Sequence, residues 1–259
     1  MSDPYVFQFK SYIKSLPDNV ADDLRKHGVL KIPNSVRTVG LGWHEDNECL
    51  VVVWMPDTVT SIGPKTFCGC WKLLSIQFSD ALEFICSRAF YGCIGLTSIS
   101  FPNSLTSIGD SAFWGCSGLI SIVFPEVLER IGDSAFWGCS GLNSIILPNT
   151  LTDIGENAFE MCEKLESVEF PGTLLVINYS AFQACHHLTS VTLPESVHTI
   201  HSCAFKQCTG LTSVIIKNPM TRIEEGAFEG CTGLLCVEIP KSVNIHTRTF
   251  PPSTNVIRT

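Results

Sequence analysis

No segment of this chain approaches the ~18 consecutive apolar residues that a membrane-spanning helix needs. Its first residues, Met1 to Tyr5, have neither the positive flank nor the apolar stretch of a secretory leader. As it stands, the sequence reads as a cytoplasmic protein, with a cell-surface or secreted one as the alternative if a signal precedes Met1. Charge is scarce: 16% of residues are charged, and 17 basic against 25 acidic side chains leave a formal charge of -8. Without a basic run, such a surface repels phosphate backbones, which argues against nucleic-acid binding by counterion release. Chemical motifs are missing too. There is no glycine-rich phosphate loop, hydrolase elbow or zinc-protease helix, so no enzyme activity and no cofactor are expected.

What the sequence does contain is repetition. A hydrophobic content of 45% excludes a disordered chain and requires a substantial core. The thirteen cysteines could suggest a disulfide framework, but their number is odd and their placement regular. Cys70, Cys93, Cys116, Cys139, Cys162, Cys185, Cys208 and Cys231 recur every 23 residues, as a repeat position does and paired bridges do not.

The same period carries a full set of apolar columns. Leu73, Leu96, Leu119, Leu142, Leu165, Leu188, Leu211 and Leu234 hold one position. Three residues on stands an Ile or Val (Ile76 to Val237), and two further on a Phe, Leu or Ile (Phe78 to Ile239), usually with a Pro behind it. The spacing L-x-x-I-x-F puts the last two side chains on one side of a short strand, with the Leu entering the core at the preceding bend. A second extended segment follows, with Val59, Leu82, Leu105, Leu128, Leu151, Leu174, Val197 and Met220 leading to the column Ile62 to Ile223. Gly63, Gly109, Gly132 and Gly155 come next, where a positive φ is expected, with Asn178 also suited to it. An Ala-Phe pair then closes each unit, from Ala89-Phe90 to Ala227-Phe228. One unit cannot offset the entropy of ordering its own backbone, so the units must stack and merge their apolar clusters.

From Leu96-Thr97-Ser98-Ile99-Ser100-Phe101-Pro102 through Ser111-Ala112-Phe113-Trp114-Gly115-Cys116, the unit resembles the BspA-like, Treponema-type class of leucine-rich repeats, and the likeness covers about residues 33 to 250. The resemblance implies a repeat solenoid: a right-handed leucine-rich-repeat coil with a parallel β-sheet on the concave face and short extended or turn segments on the convex face. It also implies adhesion or protein recognition, with no catalytic residues to carry over. Residues 1–32, through Val6, Phe7, Phe9, Tyr12, Ile13, Leu16, Val20 and Leu24, read as an N-terminal helical cap. Residues 33–239 then form nine units, the first divergent, and 240–259 a partial one in which Phe250 falls one place short of the Phe column.

Candidate sites follow from the columns. Outward-facing strand positions place Ser98, Ser100, Ser121, Val123, Ser144, Ile146 and Glu169, with Ile120 beside them, on one mainly uncharged face suited to a protein partner. A second candidate is the aromatic row Tyr91, Trp114 and Trp137, with Trp71 near it, which could anchor a partner or shield a turn. His186, His187, His198 and His201 cluster near Cys185 and Cys203, but the two pairs occupy a turn and a strand and need not converge, so no metal site is expected. Asn178-Tyr179-Ser180 is an isolated glycosylation sequon, relevant only to an exported chain. The expected partner is a protein bound by a monomer.

Overall fold

The computed structural model describes residues 6–7, 27–40, 49–246 and 248–259. They form a parallel β-solenoid of about ten turns. Each turn contributes a three- or four-residue strand to a front ladder, for example Ser98–Ser100, Ser121–Val123 and Ser144–Ile146. Most turns also contribute a two-residue strand to a back ladder, for example Phe84–Ile85, Ser107–Ile108 and Arg130–Ile131. Every pairing is parallel, and its register is the sequence period: Ser98 opposes Ser121, Ser144 opposes Ser167, and Ser107 opposes Arg130.

The columns become layers. In the strand Ser121–Val123 the central Ile122 is buried and its neighbours exposed, the period of two expected from the sequence. Leu96, Leu119 and Leu142 at the bends, and Leu105 and Ile108 on the back, are fully buried. The Phe of the Ala-Phe pair fills the centre. From Phe67 to Phe228 eight rings stack with centroids 5.0–5.5 Å apart, close to the strand spacing that dictates it. Phe101 and Phe124, each the residue after a front strand, meet Phe113 and Phe136 edge-on at 5.6 Å, tying the front to the centre.

The cysteine column has its own bonding role. From Cys93 to Cys231 each buried thiol donates to the carbonyl of the Phe in the turn before, at 3.0–3.4 Å. The Phe90 carbonyl, for instance, accepts the N–H of Cys93 and the thiol of Cys116. A small side chain with one weak donor suits that place.

A third ladder, here called the ridge, runs along the turns between back and front. In it one turn donates N–H groups to carbonyls of the next: Phe90 to Ala112 at 2.7 Å, Gly92 to Trp114 at 2.7 Å, Ser111 to Asp133 at 2.8 Å. The ridge is built from left-handed residues at two columns. One holds Lys65, Arg88, Ser111, Ser134, Asn157, Ser180, Cys203 and Gly226; the other holds Gly69, Gly92, Gly115, Gly138, Met161, Ala184, Gln207 and Gly230.

Three expectations need correction. None of Gly63, Gly109, Gly132 and Gly155 has a positive φ; the left-handed residue comes two places later. Their small size serves a close approach instead, since a Cβ at Gly109 would stand 2.7 Å from the Ser87 nitrogen of the preceding turn, and one at Gly155 2.4 Å from the Gly132 carbonyl carbon. Met220 does not fill its core column and is 79% exposed. Asn218-Pro219 advances that turn by one residue, so buried Thr221 faces inward and its hydroxyl donates to the Val197 and Asn218 carbonyls. Finally, the helical cap finds no support. Residues 1–5 and 8–26, including Tyr12, Ile13, Leu16, Val20 and Leu24, lie outside the described residues, and the elements named within the described part of residues 1–32 are two strands, Val6–Phe7 and Val29–Lys31. Val6–Phe7 pairs in parallel with Thr38–Val39, and Val29–Lys31 with Val52–Trp54, so β-branched and aromatic residues extend the ladders on this side.

Candidate recognition surface

The front ladder brings most of the expected partner-facing residues onto one face. Ser98, Ser121 and Ser144 form one exposed row and Ser100, Val123, Ile146 and Glu169 the next, in adjacent rungs set by the pairings Val123 with Ser100 and Ile146 with Glu169. Val123 and Ile146 are 64% and 63% exposed. Two aliphatic side chains thus stand side by side in water, with the Ser98, Ser121 and Ser144 row beside them and Ser100 and Glu169 on either side along their own row. Ile120, 50% exposed, stands apart at the strand entry, about 10 Å from Val123 at a strand's rise per residue. One member was missed: Trp54, exposed on the same outward column and paired in register with Gln77. The period itself could have found it.

The aromatic row lies elsewhere, on the ridge. Tyr91 and Trp114 stack at 4.4 Å and 2°, Trp114 and Trp137 at 4.5 Å and 3°. Their faces cover one another, and all three are half-buried. The row continues as a chain of side-chain bonds: the Trp137 indole donates to Glu160, Gln183 Nε2 donates to Glu160 Oε1 at 2.9 Å, and Lys206 pairs with Glu229 at 2.9 Å. Burial pushes the Glu160 carboxyl up, and the Trp137 bond opposes that. Cys68 holds the stack position in the preceding turn, so Trp71 lies outside the stack; its ring carries the Lys72 ammonium 4.5 Å from its centroid.

The histidines do not converge. His186 Nδ1 contacts the Gln207 carbonyl at 3.0 Å and His187 Nδ1 the Glu163 carbonyl at 2.7 Å, while His201 stacks on Tyr179. Among the described residues no group of three or more His, Cys, Asp or Glu is placed to hold a metal ion. Glu224 gathers His201 Nδ1 (3.1 Å) and the N–H and hydroxyl of Ser202 (3.0 and 3.2 Å) on one oxygen. Burial alone would raise that carboxyl, but these partners hold it below the usual carboxylate range. Ser202 and His201 both engage the carboxylate and not each other, so the group is no nucleophile–base pair. Asn178 of the sequon uses its side-chain amide to donate to the Ile154 carbonyl at 2.9 Å.

Comparison with known proteins places this geometry. The BspA type leucine rich repeat region, in six copies, matches residues 45–145 and 129–257. The chain belongs to the BspA-type leucine-rich repeat family. Among solved structures, a leucine-rich repeat protein from Bacteroides ovatus is 31% identical, with a TM-score of 0.78; the match covers 92% of this chain and 62% of that one. The Leucine Rich Repeat protein of T. pallidum is also 31% identical, with a TM-score of 0.58 over 62% of this chain and 77% of that one. A leucine rich cell surface protein from Faecalibacterium prausnitzii, 22% identical with a TM-score of 0.50 over 90% and 87%, shares the fold. No curated protein sequence matches. Among the described residues no helix is long and apolar enough to cross a membrane.

Proposed function

We propose that this BspA-type solenoid is a non-catalytic scaffold that binds a protein partner through the outward, concave face of its front ladder, at Ser98, Ser100, Ser121, Val123, Ser144, Ile146 and Glu169. The adjacent exposure of Val123 and Ile146 carries the reading. Exposed aliphatic side chains flanked by serines, whose hydroxyls can hydrogen-bond a partner or stay wet, match the apolar centre and polar rim of an interface. The ridge aromatics Tyr91, Trp114 and Trp137 are left out of this site, since their stacked rings face one another.

The test is affinity capture from the source cells with the wild-type chain and with Ile146→Lys. A partner recovered by the first and at least about tenfold depleted with the second, at unchanged circular dichroism, supports the reading; recovery unaffected by the substitution rejects it. A cell-surface adhesin is the second reading, supported by the description of the F. prausnitzii relative as a cell surface protein. Protease shaving of intact cells separates it from the cytoplasmic placement: a surface protein is digested, a cytoplasmic one survives.

A further inference from the structure

Trp71 lies outside the aromatic stack and Ile120 stands apart from Val123 and Ile146, so neither belongs to the ring row or to the front face. Both sit on the shoulder, the stretch of each turn between ridge and front strand. Trp71 and Ile94 hold one position there in successive turns, and Leu74 and Ile120 hold the strand-entry position with Thr97 between them. Each of the four is between 43% and 54% exposed. Leu74 joins the two positions: its Cδ2 stands 3.3 Å from the place that a Cβ on Gly95, the neighbour of Ile94, would take. On later turns the Trp71 position holds Ser117, Ser140 and Glu163. The apolar pair Trp71 and Ile94 is therefore a property of these two turns and not of the repeat.

The charge beside this patch is of one sign. Lys72 holds its ammonium 4.5 Å from the centroid of the Trp71 ring. On the ridge side, Lys65 and Arg88 occupy the same position in adjacent turns and are exposed. Burial pushes the Cys68 thiol up and the charges of these two oppose it, so both stand near that side chain, three residues before Trp71. Among the described residues, none of the three cations is in an ion pair. Ridge and shoulder of these two turns, residues 63–74 and 86–97, contain no carboxylate, whereas the same stretch further on, 155–166, contains Glu156, Glu160, Glu163 and Glu166. In a chain of net charge -8, three such cations around an exposed tryptophan reverse the local field. We infer that this shoulder is a second recognition site, and that its occupant is an acidic peptide segment of a partner protein. The segment sets aromatic or aliphatic side chains against Trp71, Leu74 and Ile94, and carboxylates against Lys65, Lys72 and Arg88. The tryptophan supplies the large anchor, while the cations select the sign of the partner and steer its approach. Val123 and Ile146 take no part, so the site stands without the front face.

Selection from a displayed library of random dodecapeptides tests this, with the full chain as bait and the double variant Trp71→Ala, Leu74→Asp as the counter-selection. Both side chains are exposed, and circular dichroism checks that the variant keeps its fold. Enriched peptides are expected to be rich in Asp and Glu and to carry an aromatic or large aliphatic residue. The most enriched peptide, synthesised and titrated into the 15N-labelled chain, shifts the Trp71 indole and Ile94 amide resonances. The double variant Lys72→Glu, Arg88→Glu weakens its binding about tenfold, and added salt weakens it as well. Ile146→Lys leaves it unchanged, so failure here is distinct from failure at the front face. No enrichment over the counter-selecting variant would overturn the proposal. So would enriched peptides that are neutral or basic, shifts confined to other turns, or a concentration-dependent dimer that Trp71→Ala abolishes, since the occupant would then be a second copy of the chain.

Discussion

A thiol at every turn is useful to this fold only while it stays protonated. Burial pushes Cys70 and Cys116 from the ordinary 9.0 up to about 12 and raises Cys93, Cys139, Cys162, Cys185 and Cys208 as well. Two outcomes are expected. A thiol reagent at neutral pH labels exposed Cys49 quickly and half-buried Cys68, Cys86, Cys203 and Cys236 slowly; the eight column cysteines react only after denaturant is added. Mass spectrometry of the labelled peptides checks this. Stability also depends on alkaline pH. A thiol whose folded pKa is raised contributes fully below its unfolded value and progressively less above it, so urea midpoints hold up to about pH 9 and then fall as pH rises toward 12. A flat profile across that window would contradict the buried thiol column.

At the scale of the element, the ridge shows where sequence reading succeeds and where it stops. Front and back strands were legible because each is marked by buried side chains at a strand's spacing, as in Ser121-Ile122-Val123. The left-handed turns were not, because one column is filled by Lys65, Arg88, Ser111 and Ser134, none of which announces a positive φ. The glycines that drew attention, such as Gly109, answer to contact with the neighbouring turn, which no single unit reveals. Of the candidate residues, the outward strand rows were legible from their alternation. A paired substitution measures the backbone effect alone. At Gly115, φ is +69° and an added Cβ meets nothing within 4 Å, so Gly115→Ala loses about 1–2 kcal/mol purely from conformation. At Met161, φ is +59° and the side chain is exposed, so Met161→Gly gains about 1 kcal/mol. Urea denaturation of both variants reads the two signs.

Across the whole molecule, stability accumulates from turns that touch only their neighbours. Removing residues 119–141 takes out one complete unit and joins Gly118 to Leu142, which occupies the column Leu119 vacates. The shortened chain is expected to fold with unchanged strand content per residue and a urea m-value lower by roughly a tenth. Removing 119–130 alone puts apolar side chains out of line with every later turn and should abolish cooperative unfolding. Circular dichroism and urea titration distinguish the two. The constant register between successive strands has one further consequence, at the level of the gene. Misaligned recombination between two copies of the unit adds or deletes a whole number of units, and each product meets its neighbours through a junction already present in the parent. Selection can therefore set the length of such a protein in steps, without having to repair a new interface at each one.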